Sequence, residues 1–411
     1  MTSTESPRTS RSRVAVGITL IVAVVLALLS SMVVVPPFTM GMFSLAVGAS
    51  EYSPFLVLLD LLWCLPVNRV LRGRGRLRVA ALALLVVSAC VAVRPLTQFT
   101  RVAATASAQL GTEATAPRFS LLMALRGLPT SDAVVERTMG YAAPDGGRLA
   151  LRLYSLRPSA LRPTIVVVYG GAWRSGSPDQ CENVSRALAS RGFTVAAIDY
   201  RHAPAARFPS QLDDVNQALR MLRDSAASWG IDAKRMAILG RSSGGHLAEL
   251  AAYSSTDAGI KAVVGVYAPY DLVEGYADLP WPDPIGVRSV LTGFLNGTPD
   301  QRPQRYHTAS PSSYVRTGLP PTLLVFGTRD HVVKAAFNRQ AAAALRAVRV
   351  PVVAVELPWA EHGFDMAPAG LGGQLAFAVI ADFLERELMT KPTRGLGVVQ
   401  SAATFRFSRQ R

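Results

Sequence analysis

Met236-Ala237-Ile238-Leu239-Gly240-Arg241-Ser242-Ser243-Gly244-Gly245-His246-Leu247-Ala248-Glu249-Leu250 is the stretch whose reading decides the fold. Its first four residues read as a buried strand, and His246 to Leu250 reads as the opening of a helix. Between them, Gly240-Arg241-Ser242-Ser243-Gly244 fits the pattern Gly-x-Ser-x-Gly, in which a serine sits on a tight strand-to-helix turn and the glycines remove side chains that would collide. The five residues alone are a weak signal; the strand before and the helix after give them weight. Such a turn presents Ser242 Oγ at the top of a sheet and points a helix N-terminus at it.

Outward from that turn, short β-branched runs alternate with helical patterns, which predicts an α/β fold with a mostly parallel, doubly wound sheet. Strands are expected at Val134–Tyr141, Leu149–Tyr154, Thr164–Val168, Phe193–Asp199, Arg235–Leu239, Lys261–Val266, Thr322–Phe326 and Val352–Leu357. Helices are expected at Gln180–Arg191, Gln211–Ser228, Leu247–Tyr253, Lys334–Arg349 and Leu371–Leu388. Pro144-Asp145-Gly146-Gly147 is a hairpin signal that pairs the first two strands antiparallel, and the helix-joined strands should run parallel. The interval from Asp271 to Pro321, rich in Pro and Gly with little periodicity, reads as a lid over a site.

A nucleophilic serine needs a base, and the chain has five histidines. His362, in Glu361-His362-Gly363-Phe364, lies just beyond the last expected strand, where a loop can reach the sheet top. His246 is too close to Ser242 in sequence, His202 follows an earlier strand, His307 falls in the lid, and His331 adjoins the candidate acid. The order Ser, acid, His then selects His362, and Asp330, directly after the strand Thr322–Phe326, as the acid. Asp271 competes for that role; Asp365 lies on the wrong side in chain order. Gly170-Gly171-Ala172 follow another strand end, where backbone N–H groups can approach a developing oxyanion, with the N–H of Ser243 as partner. A plain turn is the other reading of the two glycines. Three cysteines, Cys64, Cys90 and Cys181, form no disulfide framework and no zinc spacing.

From about Val134 to Leu388 these motifs resemble the esterase branch of the α/β-hydrolase superfamily that includes hormone-sensitive-lipase-like and feruloyl- and acetyl-esterase-like carboxylesterases. Asp199-Tyr200-Arg201-His202-Ala203-Pro204, Phe208-Pro209 and Asp213-Asp214-Val215 look like that family's segment after the fourth strand. Asn296-Gly297-Thr298-Pro299 and Ala309-Ser310-Pro311 look like its lid landmarks. The resemblance implies that Ser242 attacks an acyl carbonyl, that His362 shuttles the proton and that Asp330 holds His362. It implies that Gly170, Gly171, Ala172 and Ser243 form the oxyanion hole, that Trp173 and the lid shape the acyl pocket, and that no cofactor or metal is needed. Two positions depart from the family: Tyr169 stands where histidine is usual, and Ser243 where alanine is common.

The N-terminal part reads differently. Residues 14–35 carry no charge and follow Arg8, Arg11 and Arg13, a run long enough to span a bilayer and long for a signal-peptide core. A second span is expected over about 44–65, interrupted by Glu51 and Asp60, and a third over 77–93. The connector from Asn68 to Arg78 holds five Arg and should stay cytoplasmic, whereas Pro36 to Met42 holds no charge. With the basic N-terminus also inside, three spans are required, and everything after Arg94 lies across the membrane. An alternative gives Glu51 and Asp60 a transport role, as acids inside a membrane are functional candidates.

The domains expected are therefore a transmembrane anchor (1–95), a linker (96–130) ending in a short amphipathic stretch at Phe119–Leu128, a catalytic domain (131–390) with its lid at 271–321, and a basic tail (391–411). The formal charge of +15 invites a polyanion partner, but the first 95 residues hold +6 and the tail +5, leaving +4 between them. With no basic stripe in that middle part, nucleic acid is not an expected partner. The expected function is a membrane-tethered serine esterase acting on short-chain or acetyl esters of small-molecule, lipid or glycan alcohols. A transacylase or amidase with the same triad, and a non-catalytic receptor or scaffold, are the alternatives.

Overall fold

The computed structural model describes residues 7–112, 116–156, 161–255 and 259–389; the basic tail lies outside the described residues. Eight strands form one sheet: β1 (Val134–Ala142), β2 (Arg148–Leu156), β3 (Arg162–Val168), β4 (Thr194–Ile198), β5 (Ile231–Arg241), β6 (Ile260–Val266), β7 (Thr322–Gly327) and β8 (Val352–Leu357). Their order is β1-β2-β4-β3-β5-β6-β7-β8. β1 and β2 pair antiparallel through the Pro144–Gly147 turn, β2 lies antiparallel to β4, and every pair from β4 to β8 is parallel. Thr164 to Val168 and Met236 to Arg241 are buried throughout, because central parallel strands are covered on both faces.

The N-terminal helices are α1 (Pro7–Ser31), α2 (Met40–Glu51), α3 (Ser53–Val70), α4 (Gly75–Ala92), α5 (Arg94–Leu110) and α6 (Leu121–Arg126). Those of the sheet region are α7 (Glu182–Ser190), α8 (Ser210–Asp224), α9 (Ala226–Trp229), α10 (Ser243–Ser254), α11 (Leu272–Ala277), α12 (Val287–Leu295), α13 (Pro303–Ala309), α14 (Ala335–Ala347) and α15 (Leu371–Leu388). α10 packs on β5 and β6 with α8 beside it, and α15 packs across β5 to β7 with α5 beside it. Three helical stretches are long and apolar enough to cross a membrane: Arg13–Ser31, Ser53–Val70 and Gly75–Leu110.

Three expectations about local structure change. The second apolar stretch is not one helix over 44–65: it breaks at Tyr52, and Pro54 sits in the first turn of α3. A helix running straight through would drive the Pro54 ring into the carbonyl of Ser50. The stretch read as a linker is helical from Arg94 to Leu110. Phe99, Ala103, Ala106 and Leu110 form one buried stripe within the sheet region's core. Gln109 bonds both the N–H and the C=O of Ala354, so α5 covers the edge of β8 that β7 leaves open. The lid holds three helices, α11 to α13, where little periodic structure was expected. Asp271 caps α11 through the N–H groups of Val273 and Glu274, and Asp283 accepts those of Gly286 and Val287 at the start of α12.

Candidate active site

β5 runs into α10 through Ser242, whose φ of 51° and ψ of −124° are strained for a residue with a side chain. The turn is tight: a Cβ on Gly240 would lie 2.1 Å from the Gly244 carbonyl oxygen, and one on Gly244 would lie 2.2 Å from that of Tyr169. The N–H of Ser242 donates to Val266 O on β6, fixing the turn to the neighbouring strand.

Ser242, His362 and Asp330 come together from three strand ends. Ser242 Oγ lies 2.9 Å from His362 Nε2, and His362 Nδ1 lies 2.7 Å from Asp330 Oδ2. The other oxygen of Asp330 accepts the N–H groups of Val332 and Val333 at 2.8 and 2.7 Å, so the carboxylate cannot rotate away. Glu361 accepts from the N–H groups of His331 and His362 and meets His331 Nδ1 at 2.6 Å, bracing the loop that carries the imidazole. The Tyr267 ring packs against His362 with centroids 4.4 Å apart. The competitor Asp271 serves as a helix cap and accepts from Ser312 at 2.7 Å. Asp365 pairs with buried Arg241, the residue before the serine, and accepts from the Tyr267 hydroxyl. That pairing spans 124 positions and has no local signal in the sequence.

Gly170, Gly171, Ala172 and Ser243 line the same cavity as Ser242. A Cβ on Gly170 would stand 3.2 Å from Ser242 Cβ and 2.9 Å from the Arg241 carbonyl, so only glycine admits this approach. Ala172 and Trp173 are both left-handed, with φ of 55° and 57°, and the loop closes through Arg174 and Ser175 N–H groups donating to Gly171 O. Trp173 lines the cavity but is almost fully buried, stacked on Phe294 of α12 with centroids 4.3 Å apart. Its indole N–H donates to His246 Nδ1 at 3.3 Å, and His246 Nε2 donates to Ala309 O at 2.6 Å. His246 therefore ties the loop after β3 to α13, a role that its sequence position does not announce. Burial pushes its pKa down to about 4, so the ring stays neutral.

Tyr169, at the departure from the family pattern, stacks on Tyr200 at 4.5 Å. Its hydroxyl donates to Asp199 at 2.5 Å and lies 2.8 Å from His202 Nε2. Burial holds it far above the ordinary phenol pKa, so this strut stays protonated. Among the described residues, no group of three or more His, Cys, Asp and Glu is placed to hold a metal.

A cavity of about 360 Å³ opens above Ser242 and His362, walled by lid residues such as Leu272, Ile285 and Leu291 and by Met40 and Phe43 of α2. In such an arrangement His362 can take the hydroxyl proton of Ser242, and the loop after β3 lies at the same cavity.

Comparison with known proteins finds similarity to esterases. The BD-FAE family model matches residues 155–345, a span that includes Ser242 and Asp330 and ends before His362. "Esterase LipC" of Mycobacterium tuberculosis is 34% identical over 241 residues, 54% of this chain and 58% of the relative. "Carboxylesterase NlhH" of the same species is 32% identical over 215 residues, 48% of this chain and 65% of the relative. The chain thus spans less than two thirds of these curated relatives. Among solved structures, a Pyrobaculum calidifontis esterase superposes with a TM-score of 0.55 at 24% identity, over 71% of this chain and 92% of that one. A bacterial heroin esterase gives 0.57 at 22% identity, over 72% and 93%. The sheet region has the α/β-hydrolase fold.

Proposed function

We propose that this α/β-hydrolase-fold chain is a membrane-tethered serine carboxylesterase that cleaves short-chain or acetyl esters through an acyl-enzyme on Ser242. The observation that carries the reading is the unbroken chain from Ser242 Oγ through His362 to Asp330 at the floor of an apolar cavity. Named esterases among the relatives and structural neighbours support the same chemistry.

In this mechanism His362 Nε2 takes the Ser242 proton as Oγ attacks the ester carbonyl, and Asp330 stabilises the imidazolium. The N–H groups of Gly171, Ala172 and Ser243 receive the oxyanion, with Gly170 keeping the approach open. His362 then protonates the leaving alcohol, and water, activated by the same imidazole, releases the acid. Trp173, on the loop after β3 and held by its stack on Phe294, lines the cavity with Ser242 and is the wall against which a short acyl group would rest in this reading.

Support for the tether is the set of three apolar helical stretches and the five Arg between Asn68 and Arg78, which orient that connector to the cytoplasm. α2 docks on the sheet region, as does α5, so both connections lie on one side of the bundle, opposite the Arg-rich one. The N-terminus is then cytoplasmic and the hydrolase region extracytoplasmic. For the chemistry, the test is p-nitrophenyl acetate hydrolysis by the full-length protein in membranes. Ser242→Ala should remove enzymatic turnover, and retention of the wild-type rate would refute the proposal.

A further inference from the structure

We infer that α2 is a wall of the active site, and that this wall receives the hydrocarbon chain of an ester alcohol drawn from the membrane. The inference rests on the esterase reading and adds the class of alcohol and the side from which it arrives.

Met40 and Phe43, on the first turn of α2, line the cavity that holds Ser242 and His362. α2 belongs to none of the three apolar stretches that could cross the membrane, but a single residue, Tyr52, separates it from α3. The helix that supplies the cavity wall therefore runs, at its other end, directly into a stretch able to span a membrane.

The placement is specific. Glu51, the last residue of α2, is buried and accepts the N–H groups of Gly372 and Gly373, at 2.6 and 3.0 Å, in the first turn of α15. A side-chain acceptor suits that helix end, whose first N–H groups have no partner within the helix. A Cβ on Gly370 or Gly372 would come within 2.6 to 2.7 Å of the Glu51 side chain, so the glycines there make room for it. Ahead of α2, Arg329 Nη2 donates to Val35 O at 3.1 Å, and Thr39 caps the helix through the N–H of Met42. Arg329 directly precedes Asp330, so the segments on both sides of α2 are joined to elements next to the catalytic groups.

Beyond the cavity the apolar surface continues outward. Met366 lines the cavity and is still 60% exposed; Phe38 and Trp281, 54% and 77% exposed, meet edge to face with centroids 5.4 Å apart. Aromatic side chains at the end of a span are suited to the membrane–water interface. Phe38 and Trp281 lie within two residues of Met40 and Pro280, which line the cavity, so a hydrocarbon chain entering beside them would meet apolar groups on its way to Ser242 and would not need to be rehydrated. The cavity lies near the small end of ligand-sized pockets, which fits one chain and not two. With the short acyl group held against Trp173, the chain along Met40 and Phe43 belongs to the alcohol.

In the reaction, the bond between Ser242 Oγ and the acyl carbon forms as the ester C–O bond breaks. The long-chain alcohol leaves with the proton from His362 and stays in the bilayer, and water then frees the short acid.

The experiment uses the full-length protein in phosphatidylcholine vesicles and measures acetate released from dodecyl acetate and from ethyl acetate. The ratio of kcat/KM for dodecyl over ethyl acetate should exceed about tenfold, and Met40→Ser with Phe43→Ser should lower it about tenfold, the scale of lost apolar contact in a pocket. Labelling of Ser242 by a fluorophosphonate reports that the double variant is folded. Phe43→Trp, which keeps the wall apolar and narrows the path, should move the preferred alcohol from dodecyl towards butyl and serves if the double variant does not label. An unchanged ratio in labelled double variant, or an unchanged chain preference in Phe43→Trp, would overturn the inference while leaving the esterase reading intact. Wild-type turnover of both esters by Ser242→Ala would overturn the esterase reading itself, and the inference with it.

Discussion

The helical bundle and the sheet region differ in how much apolar surface they leave outside. In the bundle of α1, α3 and α4, many large apolar side chains point outward, with Ile21, Leu61 and Leu65 all more than half exposed, while the buried positions mix Val67, Leu71 and Leu85 with Ala23, Ala81, Ser30, Ser88 and Asp60. In the sheet region Val166, Phe193, Ile238 and Leu239 have no exposure at all, and the ion pairs of Arg152, Arg186 and Arg339 lie towards the surface. Water drives apolar groups inward; hydrocarbon offers no such drive, and helices in it associate through small residues and polar bonds. On the proposed membrane placement the chain carries two packing rules, and among the described residues the bundle keeps one buried carboxylate, Asp60, and the sheet region several that its rule would exclude. The use of each carboxylate is what separates them.

Asp330 is the carboxylate whose loss should cost most. In Asp330→Asn the side-chain oxygen can still accept from Val332 and Val333, which turns the NH₂ group towards His362 Nδ1. His362 must then carry its proton on Nε2, facing Ser242, where it cannot act as base. Activity on p-nitrophenyl acetate should fall about 10⁴-fold with little change in thermal stability. A fall of less than tenfold would remove Asp330 from the proposed mechanism.

Much of this geometry is legible in the sequence because it is local. Each expected strand overlaps an observed one, since β-branched runs bounded by turn residues carry their own signal. Gly240 to Gly244 announces the turn, and chain order brings Asp330 and His362 to it. What escaped depends on distant partners. Nothing near Glu51 foretells that Gly372, 321 positions on, will receive it, so an acid read as possible intramembrane chemistry turns out to hold α2 against α15. Pro54 and the stripe of Phe99, Ala103, Ala106 and Leu110 were readable signals, masked by the apolar run and by the Ala-, Thr- and Ser-rich composition around them. Trp173 was expected at the cavity and does line it, but its bond to His246 and its stack on Phe294 come only with the fold.

Glu249 sharpens the contrast within the sheet region. It sits fully buried on α10, and burial pushes its carboxyl up to about 8 from an ordinary 4.5. Between those values the folded chain keeps a proton that the unfolded chain has lost, so stability falls as pH rises across this window. Glu249→Gln removes the slope. Its midpoint of thermal unfolding, compared with that of the wild type, should rise progressively from pH 5 to pH 8, reaching a gain on the order of a few kcal/mol. Parallel curves for the two proteins would show that Glu249 is charged in the folded state.

Asp60 should give the smallest effect, because on the proposed membrane placement its loss leaves other partners close at hand. It joins all three helices of the bundle by accepting from Ser88 Oγ at 2.7 Å and Ser30 Oγ at 3.5 Å. Without it, Ser88 still reaches the carbonyl of Leu26, at 3.4 Å, so the shorter of the two bonds has a replacement and only the longer one, from Ser30, is lost outright. Interhelical bonds of this kind contribute about 0.6 to 2 kcal/mol. Asp60→Ala should therefore lower the heat resistance of the detergent-solubilised protein slightly, with p-nitrophenyl acetate hydrolysis at low temperature unchanged. Its neighbour Leu61 faces outward, and Leu61→Ala should change heat resistance by less than Asp60→Ala, although a buried leucine of the sheet such as Leu239 would cost about 2 to 5 kcal/mol on the same truncation. If instead Leu61→Ala proved the more damaging of the two, the bundle would be held by apolar burial like the sheet, and the two packing rules would reduce to one.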